Sequence, residues 1–95
     1  MSAYLVFIRE QTLNADELEI YWSKIRATFV GHEVKVLASY GRHEDLEGSP
    51  TEGTVIAEFP SMEAAKAWYE SSAYREVREH RFRGAIYRGL LVAGV

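Results

Sequence analysis

Five of the eight arginines lie between Arg75 and Arg88, interleaved with Glu76 and Glu79. A guanidinium is a planar fork of donors that matches carboxylates and phosphates, so such a cluster can form an anion site. It can equally be a solvated helix face, and for most of these arginines the interleaved glutamates favour that reading. Arg81 is the exception. At helical spacing it shares a face with Tyr74 and Val77, and an arginine on an apolar face needs a partner or a ligand. Glu47 in the preceding loop region is the carboxylate expected to reach it, with Tyr74 packed beside the pair.

His43 is the candidate general base, with Glu44 or Glu47 to orient it; an exposed loop histidine is the alternative. His32, His43 and His80 show no His-x-x-x-His or paired His/Asp spacing, so no metal site is expected. The chain has no cysteine, which excludes disulfides and any cysteine-based zinc or iron–sulfur centre. No Ser-His-Asp arrangement is legible. Gly41, Gly48 and Gly53 match no phosphate-loop spacing, and no cofactor is expected. Glu58, between Ala57 and Phe59, is the one carboxylate inside a central strand, with Lys35 its expected ion-pair partner.

The elements that must position these groups are short and well punctuated. Ala3 to Arg9 is aromatic and β-branched and reads as a strand. Asn14 caps a helix, with Glu17 as reciprocal partner and Leu13 and Leu18 as a staple. Leu18, Tyr21, Trp22, Ile25 and Phe29 fall on one face of it, and Gly31 stops it. Strands follow over Val34 to Tyr40 and Thr54 to Phe59, joined by the polar loop Gly41 to Gly53. Ser61 caps a second helix that buries Ala64, Ala65, Trp68 and Tyr69. Ser71-Ser72 interrupts, a short helix covers Ala73 to Arg81, and a last strand covers Ala85 to Val92.

The order β-α-β-β-α-β predicts one α+β domain over residues 1–95 with a ferredoxin-like fold. Its sheet would be four-stranded and antiparallel, with the helices on one face and the first and third strands central. In that topology Arg9, Tyr40, Arg42, His43, Arg78, His80, Arg81, Tyr87 and Arg88 gather near one end of the sheet. The strands are apolar on both faces: Tyr4 to Ile8 without interruption, and Leu90, Leu91 and Val92 in succession. The economical cover for the second face is another copy of the same sheet, so a homodimer packed sheet to sheet is expected.

Composition narrows the partners. The chain has 95 residues, 26% of them charged, and a formal net charge of −3. A general nucleic-acid or anionic-membrane binder would show a strong basic excess. No stretch approaches the roughly 20 apolar residues of a membrane span. The start Met1-Ser2-Ala3-Tyr4 lacks the basic residues of a signal peptide. A cytoplasmic location is the expectation.

The second half also carries a specific string: Leu46-Glu47-Gly48, then Val55-Ile56-Ala57-Glu58-Phe59-Pro60-Ser61-Met62-Glu63-Ala64-Ala65, then Ala67-Trp68-Tyr69, Ser71, Tyr74 and Arg81. This resembles the family known as domain of unknown function 1330. The resemblance implies a ferredoxin-like protomer of the dimeric α+β barrel superfamily, which includes cofactor-free monooxygenases, lactone isomerases and haem-dependent enzymes. It also implies site roles for Glu47, Ser71, Tyr74 and Arg81. Members often carry Gly-Gly before the second strand and Arg-Gly-Gly at its end. Here Glu33-Val34 and Ser39-Tyr40-Gly41 stand there, and Arg42 is the candidate substitute for the missing arginine.

Two functions follow. One is a pocket between sheet and helices for a small anionic or aromatic molecule, lined by Tyr40, Arg42, Trp68, Ser71, Tyr74 and Arg81. If the pocket is catalytic, His43 or Glu47 moves a proton while Arg42 or Arg81 holds an enolate or carboxylate. The other is a non-catalytic module with a closed core. A ligand-sized pocket with an unpaired arginine favours the first, and a dry interior favours the second.

Overall fold

A computed structural model describes all residues, Met1–Val95. Four strands, β1 (Ala3–Thr12), β2 (Lys35–Ser39), β3 (Gly53–Phe59) and β4 (Ala85–Ala93), form one antiparallel sheet in the order β2-β3-β1-β4. Three helices, α1 (Ala15–Lys24), α2 (Met62–Tyr69) and α3 (Ser72–Gly84), complete the expected ferredoxin-like arrangement. Leu5, Phe7, Ala57 and Phe59 turn inward from the sheet and meet Tyr21, Ala65, Trp68, Tyr74 and Val77 from the helices in one core cluster.

The local chemistry explains the helices. Asn14 accepts from the backbone N–H groups of Asp16 and Glu17 at 3.1 and 3.4 Å, and acidic residues in the first turn with Lys24 in the last complement the helix dipole. Ser61 Oγ accepts from Ala64 N at 3.0 Å to start α2. Ser71 Oγ accepts from Tyr74 N at 3.3 Å and donates to the Trp68 carbonyl at 2.7 Å, closing α2 and opening α3 with one hydroxyl.

Several boundaries differ from expectation. The first helix does not run to Phe29. The Thr28 hydroxyl donates back to the Ile25 carbonyl at 2.6 Å, and Arg26–Phe29 tightens into a 3₁₀ turn. That turn presents Thr28 Oγ to the Trp68 indole N–H at 3.0 Å. Gly31, at φ +84°, then reverses the chain. β1 continues to Thr12 across a bulge between Arg9 and Gln11, and α3 runs on to Gly84. Gly84 permits the close approach of α3 to α1: a Cβ there would lie 2.7 Å from Leu18 Cδ2. The same contact carries a polar tie absent from the sequence reading, in which Glu17 holds His80 Nδ1 at 2.6 Å and Arg83 Nε at 3.2 Å.

The other sheet face carries Val6, Ile8, Ile56, Leu90 and Val92 and has no helix over it. Leu90 and Val92 are each more than half exposed. Glu58 lies on this face beside Tyr4, whose hydroxyl donates to it at 3.4 Å. Lys35 is its cross-strand neighbour in register, yet no ion pair forms between them. The aromatic hydroxyl, locked on the adjacent central strand, takes the place of the flexible edge lysine.

Candidate functional site

Between the sheet and α1 lies a cavity of about 370 Å³. Its floor is the inward face of the sheet: Leu5 and Phe7 from β1, Val55, Ala57 and Phe59 from β3, and Tyr87 from β4. Tyr21, Trp22, Ile25 and Phe29 close one side, and Trp68 and Arg81 the other. The exposed members, Trp22, Arg26, Val36 and Ser39, mark the mouth in the gap between α1 and edge strand β2. Of the sixteen lining residues only Arg26, Ser39 and Arg81 are not hydrophobic. No aspartate, glutamate, histidine or lysine lines the cavity.

Arg81 is the polar centre. It is 4% exposed, and its Nε is sealed from solvent without a hydrogen-bond partner. The expected pair with Glu47 does not exist. Glu47 is exposed in the loop before β3, and no carboxylate lies within ion-pair distance of Arg81. The guanidinium carbon instead rests over three rings, 4.4 Å from the centroid of Phe7, 5.0 Å from Phe82 and 5.1 Å from Tyr87. Burial opposes its charge, but the phenolic oxygens of Tyr74 and Tyr21 outweigh that and hold its pKa above the usual value. The electron-rich ring faces are the physical substitute for a counter-ion.

Two tyrosine pairs surround this charge. Tyr21 and Tyr74 join hydroxyl to hydroxyl at 2.8 Å in the core. Tyr40 and Tyr87 do the same beside the mouth. Burial, with Tyr74 adding to it, pushes the Tyr21 phenol far up, and burial likewise raises Tyr74. Burial and the hydrogen bond with Tyr40 raise Tyr87. Tyr21, Tyr74 and Tyr87 therefore stay protonated and act as hydrogen-bond donors.

Tyr40 is held in an uncommon backbone state. Its φ is +54°, a left-handed value that costs a bulky residue roughly 1–2 kcal/mol. The ring repays this with four contacts. It bonds to Tyr87, meets the edge of Trp22 at 5.6 Å, lies 4.9 Å under the Arg9 guanidinium and covers Gly53. A Cβ at Gly53 would fall 2.5 Å from Tyr40 Cδ1, so glycine there makes the ring position available. Arg9 is steadied by Glu52, whose Oε1 lies 3.3 Å from its Nε and also accepts from the Thr12 hydroxyl at 2.6 Å.

The remaining sequence candidates fall elsewhere. His43 sits in the exposed loop with Nε2 3.2 Å from the Thr51 carbonyl, beside an Asp45 that is itself bonded to Thr51. Arg42 is exposed and only 4.0 Å from Glu44. Neither lines the cavity, nor does Ser71, whose hydroxyl is committed to capping. Of the expected ligand-binding set, Tyr40, Trp68 and Arg81 line the cavity, and Tyr74 stands behind it against Tyr21. Arg78 stacks on Tyr69 at 4.7 Å and bonds the Tyr69 carbonyl. Sequence reasoning missed Tyr21, Trp22 and Phe29 as walls; their shared helical stripe with Leu18 read only as core. No three His, Asp or Glu side chains converge to hold a metal ion. No helix is long and apolar enough to cross a membrane.

The chain belongs to the family described as Domain of unknown function (DUF1330), whose profile matches residues 2–95. No curated protein matches it. Among solved structures it is similar to RPA0582, a protein of unknown function from Rhodopseudomonas palustris, at 19% identity and a TM-score of 0.75, over 99% of this chain and 82% of that one. It is also similar to a dimeric ferredoxin-like protein of unknown function from Thermobifida fusca, at 12% identity and a TM-score of 0.67, over 99% and 92% of the two chains. A third is SnoaB, a cofactor-independent oxygenase from Streptomyces nogalater, at 10% identity and a TM-score of 0.62, over 99% and 93%. At these identities the likeness establishes the shared fold.

Proposed function

We propose that the protein binds a small, largely apolar anion in the cavity between sheet and helices, with Arg81 as its receptor. One observation carries the reading: a buried guanidinium with an orphaned Nε, no carboxylate partner and a wall position in an apolar cavity. Ring faces and phenolic oxygens hold that charge in place of a counter-ion, and an anionic guest supplies the oppositely charged partner it lacks. Trp68, Phe29 and Phe59 give the cavity an aromatic wall. The volume lies in the range of small-ligand sites. A closed, dry core is the poorer description of such a space.

A cofactor-independent reaction is the second reading, favoured by the fold shared with SnoaB. Arg81 would stabilise an enolate or carboxylate formed on the guest. With His43 and Glu47 outside the cavity, any proton leaving the guest would pass to solvent. We take the working form to be a cytoplasmic homodimer joined through the open sheet faces. Support for the dimer comes from their apolar residues and the dimeric description of the Thermobifida fusca relative.

Trp22 and Trp68 line the cavity and report occupancy. Titration with benzoate should quench their fluorescence saturably, with benzamide binding far more weakly, and Arg81→Met should abolish the difference. Equal binding of acid and amide by the parent protein would overturn the reading.

A further inference from the structure

The hydrogen-bonding groups of the cavity are one-sided. Tyr21 with Tyr74, and Tyr40 with Tyr87, form two hydroxyl–hydroxyl bonds. Each bond uses one proton of two; both members of the Tyr40–Tyr87 pair line the cavity, and their second O–H meets no carboxylate or imidazole there. The Arg81 guanidinium, which lines the cavity without a carboxylate partner, adds further donors. The Trp68 N–H is already committed to Thr28. Against these donors the lining offers no carboxylate and no imidazole; Ser39, at the mouth, is the one other hydroxyl. A guest that also brought donors would leave them unpaired, at a desolvation cost. A guest that brings only acceptors satisfies the site.

The walls restrict the class further. Phe29, Phe59 and Trp68 stack at centroid separations of 5.4 and 5.7 Å, and Trp22 and Tyr40 flank the mouth. A carboxylate concentrates its charge on two oxygens and holds its water tightly. An oxyanion conjugated with a ring spreads its charge and enters an apolar cavity at lower cost.

We propose that the guest is a weakly acidic phenol or enol, captured as its oxyanion, with release of its proton. This deepens the anionic-guest reading above and rests on it. The O–H bond of the guest breaks, the electron pair stays on the oxygen beside Arg81, and the proton passes to solvent, because no base lines the cavity. The protein thereby selects the ionised form and lowers the apparent pKa of whatever phenol it holds.

The probe is para-nitrophenol, whose anion is coloured and whose neutral form is not. With saturating protein the colour should appear at lower pH than in buffer, by about one unit, a roughly tenfold preference for the anion. Arg81→Met should lose this shift while still binding the uncharged para-nitroanisole, which shows that the cavity survives. Tyr87→Phe, which removes one donor and keeps the ring, should retain only part of the shift; it carries the test if Arg81→Met does not fold. A bound indicator with an unmoved or raised midpoint would overturn this inference. So would benzoate binding without para-nitrophenol binding, which would leave the anionic pocket standing. If neither benzoate nor para-nitrophenol binds, both readings fall.

Discussion

Replacing Arg81 by methionine separates two accounts of a buried charge, because one predicts a large loss of stability and the other almost none. If Arg81 sat in a structural ion pair, removing it would strand the partner and cost about 3–5 kcal/mol. In this fold it has no carboxylate partner. The charge carries a desolvation penalty of several kcal/mol. Against it stand contacts with three rings at 4.4, 5.0 and 5.1 Å, each worth about 0.5–2 kcal/mol. Methionine has similar length, fills the same space and regains about 0.3–1.5 kcal/mol of sulfur–aromatic contact. These opposing terms nearly cancel, so Arg81→Met should lie within about 1 kcal/mol of the parent. Urea unfolding followed by tryptophan fluorescence measures this, at fixed protein concentration so that assembly does not intrude. Repeating it with benzoate at a hundred times its dissociation constant should stabilise the parent by about 2.7 kcal/mol and leave the variant unmoved. A variant destabilised by more than about 1 kcal/mol would mean that the guanidinium is a structural group, and the argument for a waiting receptor would fail.

Three further outcomes follow from the geometry. Gly53→Ala drives a methyl to 2.5 Å from the Tyr40 ring and should cost about 1–3 kcal/mol in a urea melt; parent-like stability would contradict the tight seating of that ring. Sedimentation at micromolar concentration should find the parent as a dimer and Ile56→Asp as monomer or aggregate, whereas a well-folded monomeric parent would refute the sheet-to-sheet assembly. Glu17 accepts hydrogen bonds from His80 and Arg83, which hold its carboxyl below the ordinary 4.5. A depressed pKa contributes stability above the unfolded value and loses it as pH falls through the folded one. The stability gap between the parent and Glu17→Gln should therefore shrink as pH falls below about 4.5; a gap that does not change there would refute the tie.

The fold was legible in the sequence because short-range chemistry wrote it. Asn14, Ser61 and Ser71 begin helices with side chains that have few better uses. Gly31 and Pro60 end elements that cannot pass through them, and the two-residue alternation in Thr54 to Phe59 decides which face each side chain takes. Arg81 was also legible as an anomaly, since its helical spacing from Val77 and Tyr74 turns it inward whatever lies opposite. What lay opposite was decided only in three dimensions. Whether a loop carboxylate reaches a buried arginine depends on the path of Gly41 to Glu52, and no periodicity constrains such a loop. Asp45 and Thr51 brace it on itself, which leaves Glu47 and His43 in solvent. The left-handed turn at Tyr40, opened by the missing side chain of Gly53, instead sends an aromatic ring to the mouth of the cavity. The cavity itself arises because α1 gives way to a 3₁₀ turn at Thr28 and leaves β2 uncovered on its inner face. That gap lies between two elements consecutive in the chain, but no local periodicity sets the angle between them, and only tertiary packing determines it.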